Sequence, residues 1–269
     1  MPRHLSMPNT LAMLILCGAA ILRADLTATV IRQPGASLDT SLRNELDHAV
    51  DLAAAWLAAR QSPDGSWGSE TGRVSRTSLS LAALTARTNR YSDACARAAV
   101  WLGSHAPAAE DDANAGSWRL IALLSFVPDT PARTNVTQRL IRDARQHTPS
   151  TDTGFLSQLL WNEALAFAGH RVRPLSTPSA EKMLKKQTED WPPDSKEPSC
   201  LWIPTHLINR LSNGVLERDG KPLDWRRDVA QSLINAQRCD PAGGGYWEAT
   251  SSDAQIAETA YGVLTLLEL

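Results

Sequence analysis

Leu42, Leu46, Ala49, Val50, Ala53, Trp56 and Leu57 recur at helical spacing and form a stripe that would bury one face of an amphipathic helix. The next segment has a different texture. Arg76–Ala86 is largely apolar on all sides beyond its first turn, as a helix surrounded by protein must be. The two textures alternate along the chain. Ser92–Gly103, Thr137–Gln146, Ser179–Glu189 and Trp225–Gln237 carry polar or charged residues along one side. Trp118–Phe126, Phe155–Ala168, Leu201–Leu211 and Ala254–Leu269 are more uniformly apolar. Pro204 is expected in the first turn of its helix, where a missing N–H does no harm.

No segment sustains the period-two alternation of a strand. The pattern predicts an all-α fold. About ten helices, alternately outer and inner, would make an α/α toroid or open horseshoe of about five helical hairpins. The expected organisation is a single repeat domain over 39–269.

A repeated loop marks the corners of these hairpins. Gln61-Ser-Pro-Asp-Gly65-Ser-Trp67 follows the Trp56-Leu57 helix end, and Gln237 through Gly245-Tyr246-Trp247 follows Ser232-Leu233. Weaker copies hold Trp101-Leu102, Gln146, Gln187, Trp118, Phe155 and Trp191 at related places. The period of roughly 40 to 50 residues is that of stacked helical repeats. Pro63, Asp64 and Gly65 supply turn chemistry. Physically the loop reads as a staple: a Gln amide can satisfy open backbone groups, and an indole can cover its stem.

Composition narrows the functional classes. A net charge of −2 over 269 residues leaves no electrostatic footprint for nucleic acid. Nine Trp against three Phe and three Tyr suit a helical core built on large indole elements. Arg3 and His4 precede the apolar run Leu11–Leu22, and Leu22-Arg23-Ala24 is a tolerable cleavage site. Residues 1–24 therefore read as a signal peptide and 25–38 as a polar lead-in. An apolar run of about 12 residues falls short of the roughly 18 that mark a membrane span. Export to the periplasm or medium is expected, with an uncleaved N-terminal anchor as the alternative. Export would permit a disulfide, for which Cys200 and Cys239 are the pair to test against packed thiols.

The spacing Trp56-Leu57…Gln61…Gly65-x-Trp67 resembles the QW motif of squalene-hopene and oxidosqualene cyclases, whose toroid architecture the protein prenyltransferases share. The stretch from Leu223 to Gln237, with Gly245-Tyr246-Trp247-Glu248 and Thr259–Leu267, resembles small exported bacterial proteins built of prenyltransferase/squalene-oxidase repeats. That resemblance implies a toroid in which Gln61, Gly65, Trp67, Gln237, Gly245 and Trp247 are structural.

The catalytic features of those families do not carry over. Glu110-Asp111-Asp112 lacks the first Asp of the cyclase Asp-x-Asp-Asp acid. Asp93-Ala94-Cys95 has the prenyltransferase zinc spacing, but a lone pair without a third ligand is not a metal site. No metal or cofactor is expected. Glu163, His206, Glu258, Arg76 and Arg119 lie on apolar inner helices and are the candidates to line a central cavity. Each could instead serve as a hydrogen-bonded packing residue.

The reading that results is a non-catalytic binding or scaffold module with an unknown protein or small-molecule partner. The alternatives are an isoprenoid enzyme, on fold resemblance, or a carbohydrate-active lyase or hydrolase. The latter needs paired acids such as Glu163 with Glu258 or Asp111 with Glu248.

Overall fold

The computed structural model describes residues 38–69, 71–107, 114–126, 155–167, 196–211, 216–218 and 221–269, with positions 138, 141, 142, 182, 185, 189 and 191. The expected signal peptide and all of the lead-in but Leu38 lie outside these residues. The described chain is mostly helical. Its eight described helices are α1 (Thr40–Ala59), α2 (Arg73–Thr85), α3 (Thr88–Ser104), α4 (Ala115–Phe126), α5 (Phe155–Phe167), α6 (Pro198–Leu211), α7 (Trp225–Ala236) and α8 (Ser252–Leu267). Helices expected at 137–146 and 179–189 fall largely outside the described residues. The positions described within them, 138, 141, 142, 182, 185 and 189, are helical.

The chain divides into two compact units. The first spans Gln61–Val172 and contains α2 to α5. There α2 packs on α3 and α4, and α4 packs on α5. The second joins Thr27–Arg60 to Arg173–Leu269, and so combines α1 with α6, α7 and α8. In it α8 packs against α6 and α1, and α7 against α1.

The alternation of textures reappears as burial. α1 and α3 each bury a single stripe: Leu42 through Leu57 at helical spacing in one, Ala94, Cys95, Ala98, Ala99, Trp101 and Leu102 in the other. α2 buries every residue from Thr77 to Thr85, and α4 every residue from Ser117 to Leu124. The helix α2 nevertheless carries many hydroxyls. Ser78 and Thr85 donate to the carbonyls of Val74 and Ala82, at 2.7 and 2.6 Å, whereas the buried Ser80 hydroxyl makes no hydrogen bond. Side chains close the starts of α1 and α8: Asp39 accepts the Leu42 amide at 2.9 Å and Ser251 the Ala254 amide at 3.1 Å.

Three features depart from the sequence reading. Strands exist, though only as two-residue pairs: β1 (Glu217–Arg218) with β2 (Lys221–Pro222), and β3 (Arg238–Cys239) with β4 (Gly245–Tyr246). Pieces this short show no periodicity. Only the intervening Asp219-Gly220, a hairpin-turn dipeptide, and the glycines before Tyr246 hint at them. The helix α2 begins at Arg73, earlier than Arg76, and α3 at Thr88, with a non-helical Tyr91 (φ −123°, ψ 26°) inside it. Pro204 sits in the second turn of α6, not the first. The helix starts early because Pro198 occupies its first position and Glu258 accepts the otherwise open amide of Ser199 at 2.9 Å.

Candidate functional site

The Gln–Trp loop is the best-defined constellation, and both strong copies share a Gln bond to a helix carbonyl and a Trp amide bond to a Thr hydroxyl. In the first unit the Gln61 Nε2 donates to the Gly65 carbonyl at 3.0 Å and to the Ala94 carbonyl of α3 at 2.8 Å. Arg97 donates to the other end of the same amide. In the second unit the Gln237 Nε2 donates to the Ala49 carbonyl of α1 at 2.9 Å, with its amide packed against Gly245. Ala49 and Ala94 stand at the same register, each seven residues before the Trp of a Trp-Leu pair. The staple therefore reaches a mid-helix carbonyl of the neighbouring outer helix, not the open helix end expected. A carbonyl has two lone pairs, so it can accept this bond beside the helical one.

The Trp of the motif docks on an inner helix. The backbone amide of Trp67 donates to Thr77 Oγ1 of α2 at 3.0 Å, and that of Trp247 to Thr259 Oγ1 of α8 at 3.4 Å. Both indoles are buried. The Trp247 Nε1 donates to the Leu233 carbonyl at 3.0 Å. Gly65 cannot be replaced cheaply, since its φ is +95° and a Cβ there would lie 2.6 Å from the Arg97 carbonyl oxygen.

One member of the staple went unread in the sequence. Asp64 and Asp240 each follow the motif Gln by three residues, and each pairs with an Arg that lies over the Trp ring of a Trp-Leu pair. Trp56 Nε1 donates to Asp240 Oδ2 at 3.1 Å, and Arg60 donates to the same oxygen at 2.7 Å while lying 3.9 Å over the Trp56 ring. Tyr246 stacks on Trp56 at 5.5 Å. In the first unit Arg73 pairs with Asp64 at 2.6 Å and lies 5.3 Å over the Trp101 ring, and His105 stacks on that ring at 4.1 Å.

These bonds favour the carboxylates. Partial burial works to raise Asp64, but bonds from the Ser66 hydroxyl and amide, the Arg73 charge and the Trp101 indole outweigh it and hold the group below the usual Asp value. Asp240 is lowered too, chiefly by the Ala242 amide and then by Arg60. The shared offset from Gln was the available signal.

The polar residues proposed to line a cavity are engaged in structural bonds. Arg76 donates to the carbonyls of Ser69, at 3.0 Å, and Thr71, tying down the loop before α2. Buried Arg119 donates from Nε to the Leu102 carbonyl at 2.8 Å, closing the end of α3. Glu258 accepts both the amide and the hydroxyl of Ser199, the latter at 2.6 Å. His206 stacks on Trp202 at 4.9 Å and its Nδ1 lies 2.7 Å from Glu268 Oε1. Asn209 donates to the backbone carbonyl and to Oε2 of Glu268, at 2.8 and 3.1 Å, and accepts from Arg226 at 3.1 Å. Burial lowers the Arg226 guanidinium, partly countered by Asp224. Glu163, on α5, is half-buried and has an interaction partner. The first unit thus holds Arg76, Arg119 and Glu163, and the second His206 and Glu258.

The Asp93-x-Cys95 spacing does not converge. Asp93 is exposed and Cys95 fully buried, because residues two apart on a helix point to nearly opposite sides. Burial pushes the Cys95 thiol up to about 12, so it is a neutral packing group. Cys200 and Cys239 are exposed free thiols. Among the described residues no His, Cys, Asp and Glu cluster could hold a metal ion, and no helix is long and apolar enough to cross a membrane.

The second unit also contains an open cleft of ≈ 590 Å³ between the end of α7 and the start of α6. Lys196, Glu197 and Pro198 form one wall, Ser232, Asn235 and Ala236 another, and Arg238, Trp247 and Glu248 complete it. Arg238 Nε lies 3.6 Å from Glu248 Oε2. Comparison with protein-family models, curated proteins and solved structures returned no match.

Proposed function

We propose that this chain is a non-catalytic α/α-toroid module, exported, that works by binding or scaffolding. The observation that carries this reading is the use of the inner-helix polar groups. Arg119 and Glu258 close helix termini, Arg76 ties a loop, and His206 is held by Glu268. A general acid or base must instead face a reacting group. The toroid draws support from the staple: Gln237, from the last hairpin, takes the same register position on α1 that Gln61 takes on α3. Kinship with the QW-motif proteins rests on that staple, and export on the signal-like pattern of residues 1–24.

A carbohydrate-active alternative has one observation in its favour, the carboxylates of Glu197 and Glu248 on the walls of an open cleft. Incubation of the purified chain with polyprenyl diphosphates, squalene and a panel of polysaccharides, read by mass spectrometry, should show no turnover. Conversion of any of these that is lost in Glu163→Gln, Glu258→Gln or Glu248→Gln would overturn the scaffold reading.

A further inference from the structure

The cleft of the second unit occupies a place that the other described repeats fill with a tryptophan. Three outer helices align through their Leu: Trp56-Leu57 in α1, Trp101-Leu102 in α3 and Ser232-Leu233 in α7, where each Leu is fully buried. Four residues after the Trp stands a partner for its ring, Arg60 just past the end of α1 and His105 just past that of α3. The α7 equivalents are Ser232 and Ala236, and both line the cleft. Helix α7 has lost the ring and the group that covers it, in the same repeat and on the same face.

The surroundings of the missing ring are retained in kind. At Trp101 the ring face meets a cation from the start of an inner helix, Arg73, and at Trp56 the indole bonds a loop carboxylate, Asp240. In the cleft, Lys196 lies just before inner helix α6, and Arg238 supplies a second cation. Glu197 and Glu248 supply carboxylates. Cations favour the face of an aromatic ring, and carboxylates favour its N–H edge. The volume of ≈ 590 Å³ falls within the roughly 300–1,000 Å³ of small-ligand sites.

We propose that this cleft binds a small indole-class aromatic molecule, which takes the place of the tryptophan replaced by Ser232. The proposal rests on the reading of the chain as a binding module. Its test is separate, since failure to bind would leave the absence of turnover intact.

The experiment titrates the full chain with indole, N-acetyltryptophanamide and toluene by calorimetry and ligand-observed NMR. Indole is expected to bind at up to millimolar concentrations, and toluene, which has no N–H, more weakly. N-acetyltryptophanamide reports whether a peptide-borne ring is accepted; binding tighter than indole would overturn the free-molecule reading in favour of a protein segment. Ser232→Trp should fill the place from within, abolish indole binding and raise Tm. Should Ser232→Trp fail to fold, Glu248→Gln and Glu197→Gln take over as tests. Together they should weaken indole by roughly 3–10-fold while leaving toluene unchanged. No indole binding by the parent, or binding undiminished in a folded Ser232→Trp, would overturn the proposal.

Discussion

Replacing Trp247 by Ala tests the staple at a buried indole. The indole is 1% exposed, so truncation removes a full buried aromatic side chain, at a cost of about 3–5 kcal/mol. The lost indole bond adds little, because the Leu233 carbonyl still accepts the Gln237 amide at 3.1 Å. On a chain of this size such a loss lowers Tm by roughly 6–20 °C. Trp247→Phe keeps most of the ring and should recover more than half of the loss.

A second arm uses Gly262, where an added Cβ would lie 2.6 Å from the Trp247 ring. Gly262→Ala in the parent should cost about 1–3 kcal/mol through overpacking. With Trp247→Ala also present, the obstruction is gone and the two changes should be far from additive. Thermal unfolding followed by circular dichroism reads all four proteins. A Trp247→Ala Tm within 2 °C of the parent, or strict additivity in the cycle, would refute the staple as a packing element.

Gly65→Ala should destabilise by at least roughly 1–2 kcal/mol from its positive φ alone, with the Arg97 contact adding to that; an unchanged urea midpoint would contradict the turn geometry. Because Asp64 and Asp240 are lowered in the folded chain, their stabilisation is present above the unfolded Asp value of about 3.9 and is lost as pH falls through their lower folded values. The urea midpoint should therefore fall below about pH 4, and less steeply in Asp64→Asn/Asp240→Asn. Under native conditions a maleimide should label Cys200 and Cys239, whereas Cys95 should react only on unfolding; mass spectrometry of the labelled peptides decides.

Much of this was written into the local chain. The stripe through α1 and the apolar run Leu120–Leu124 of α4 are short-range patterns, made by helical bonds four residues apart and by the face each helix must bury. The Gln–Gly–Trp loops were legible for the same reason: Gln61, Gly65 and Trp67 lie within a few residues of one another. Helix starts were less legible. Pro204 could be placed only once Glu258, 59 residues away from Ser199, was known to close the first turn of α6.

What tertiary structure alone decided is which distant group each polar side chain meets. The Gln237 amide finds the Ala49 carbonyl across 188 residues, and Trp56 finds Asp240 across 184. No window of the sequence contains both partners. The same holds for Arg119 and Glu258, whose types suggested chemistry and whose packing gives them helix ends to satisfy. It holds for the cleft as well. Ser232 at the Trp position of the helix-end pair was visible in the sequence, but only the assembled walls of Lys196, Arg238 and Glu248 turn that missing ring into a place where another could sit. Periodicity is local because helical hydrogen bonds are local, whereas a binding place is a meeting of surfaces that only packing brings together.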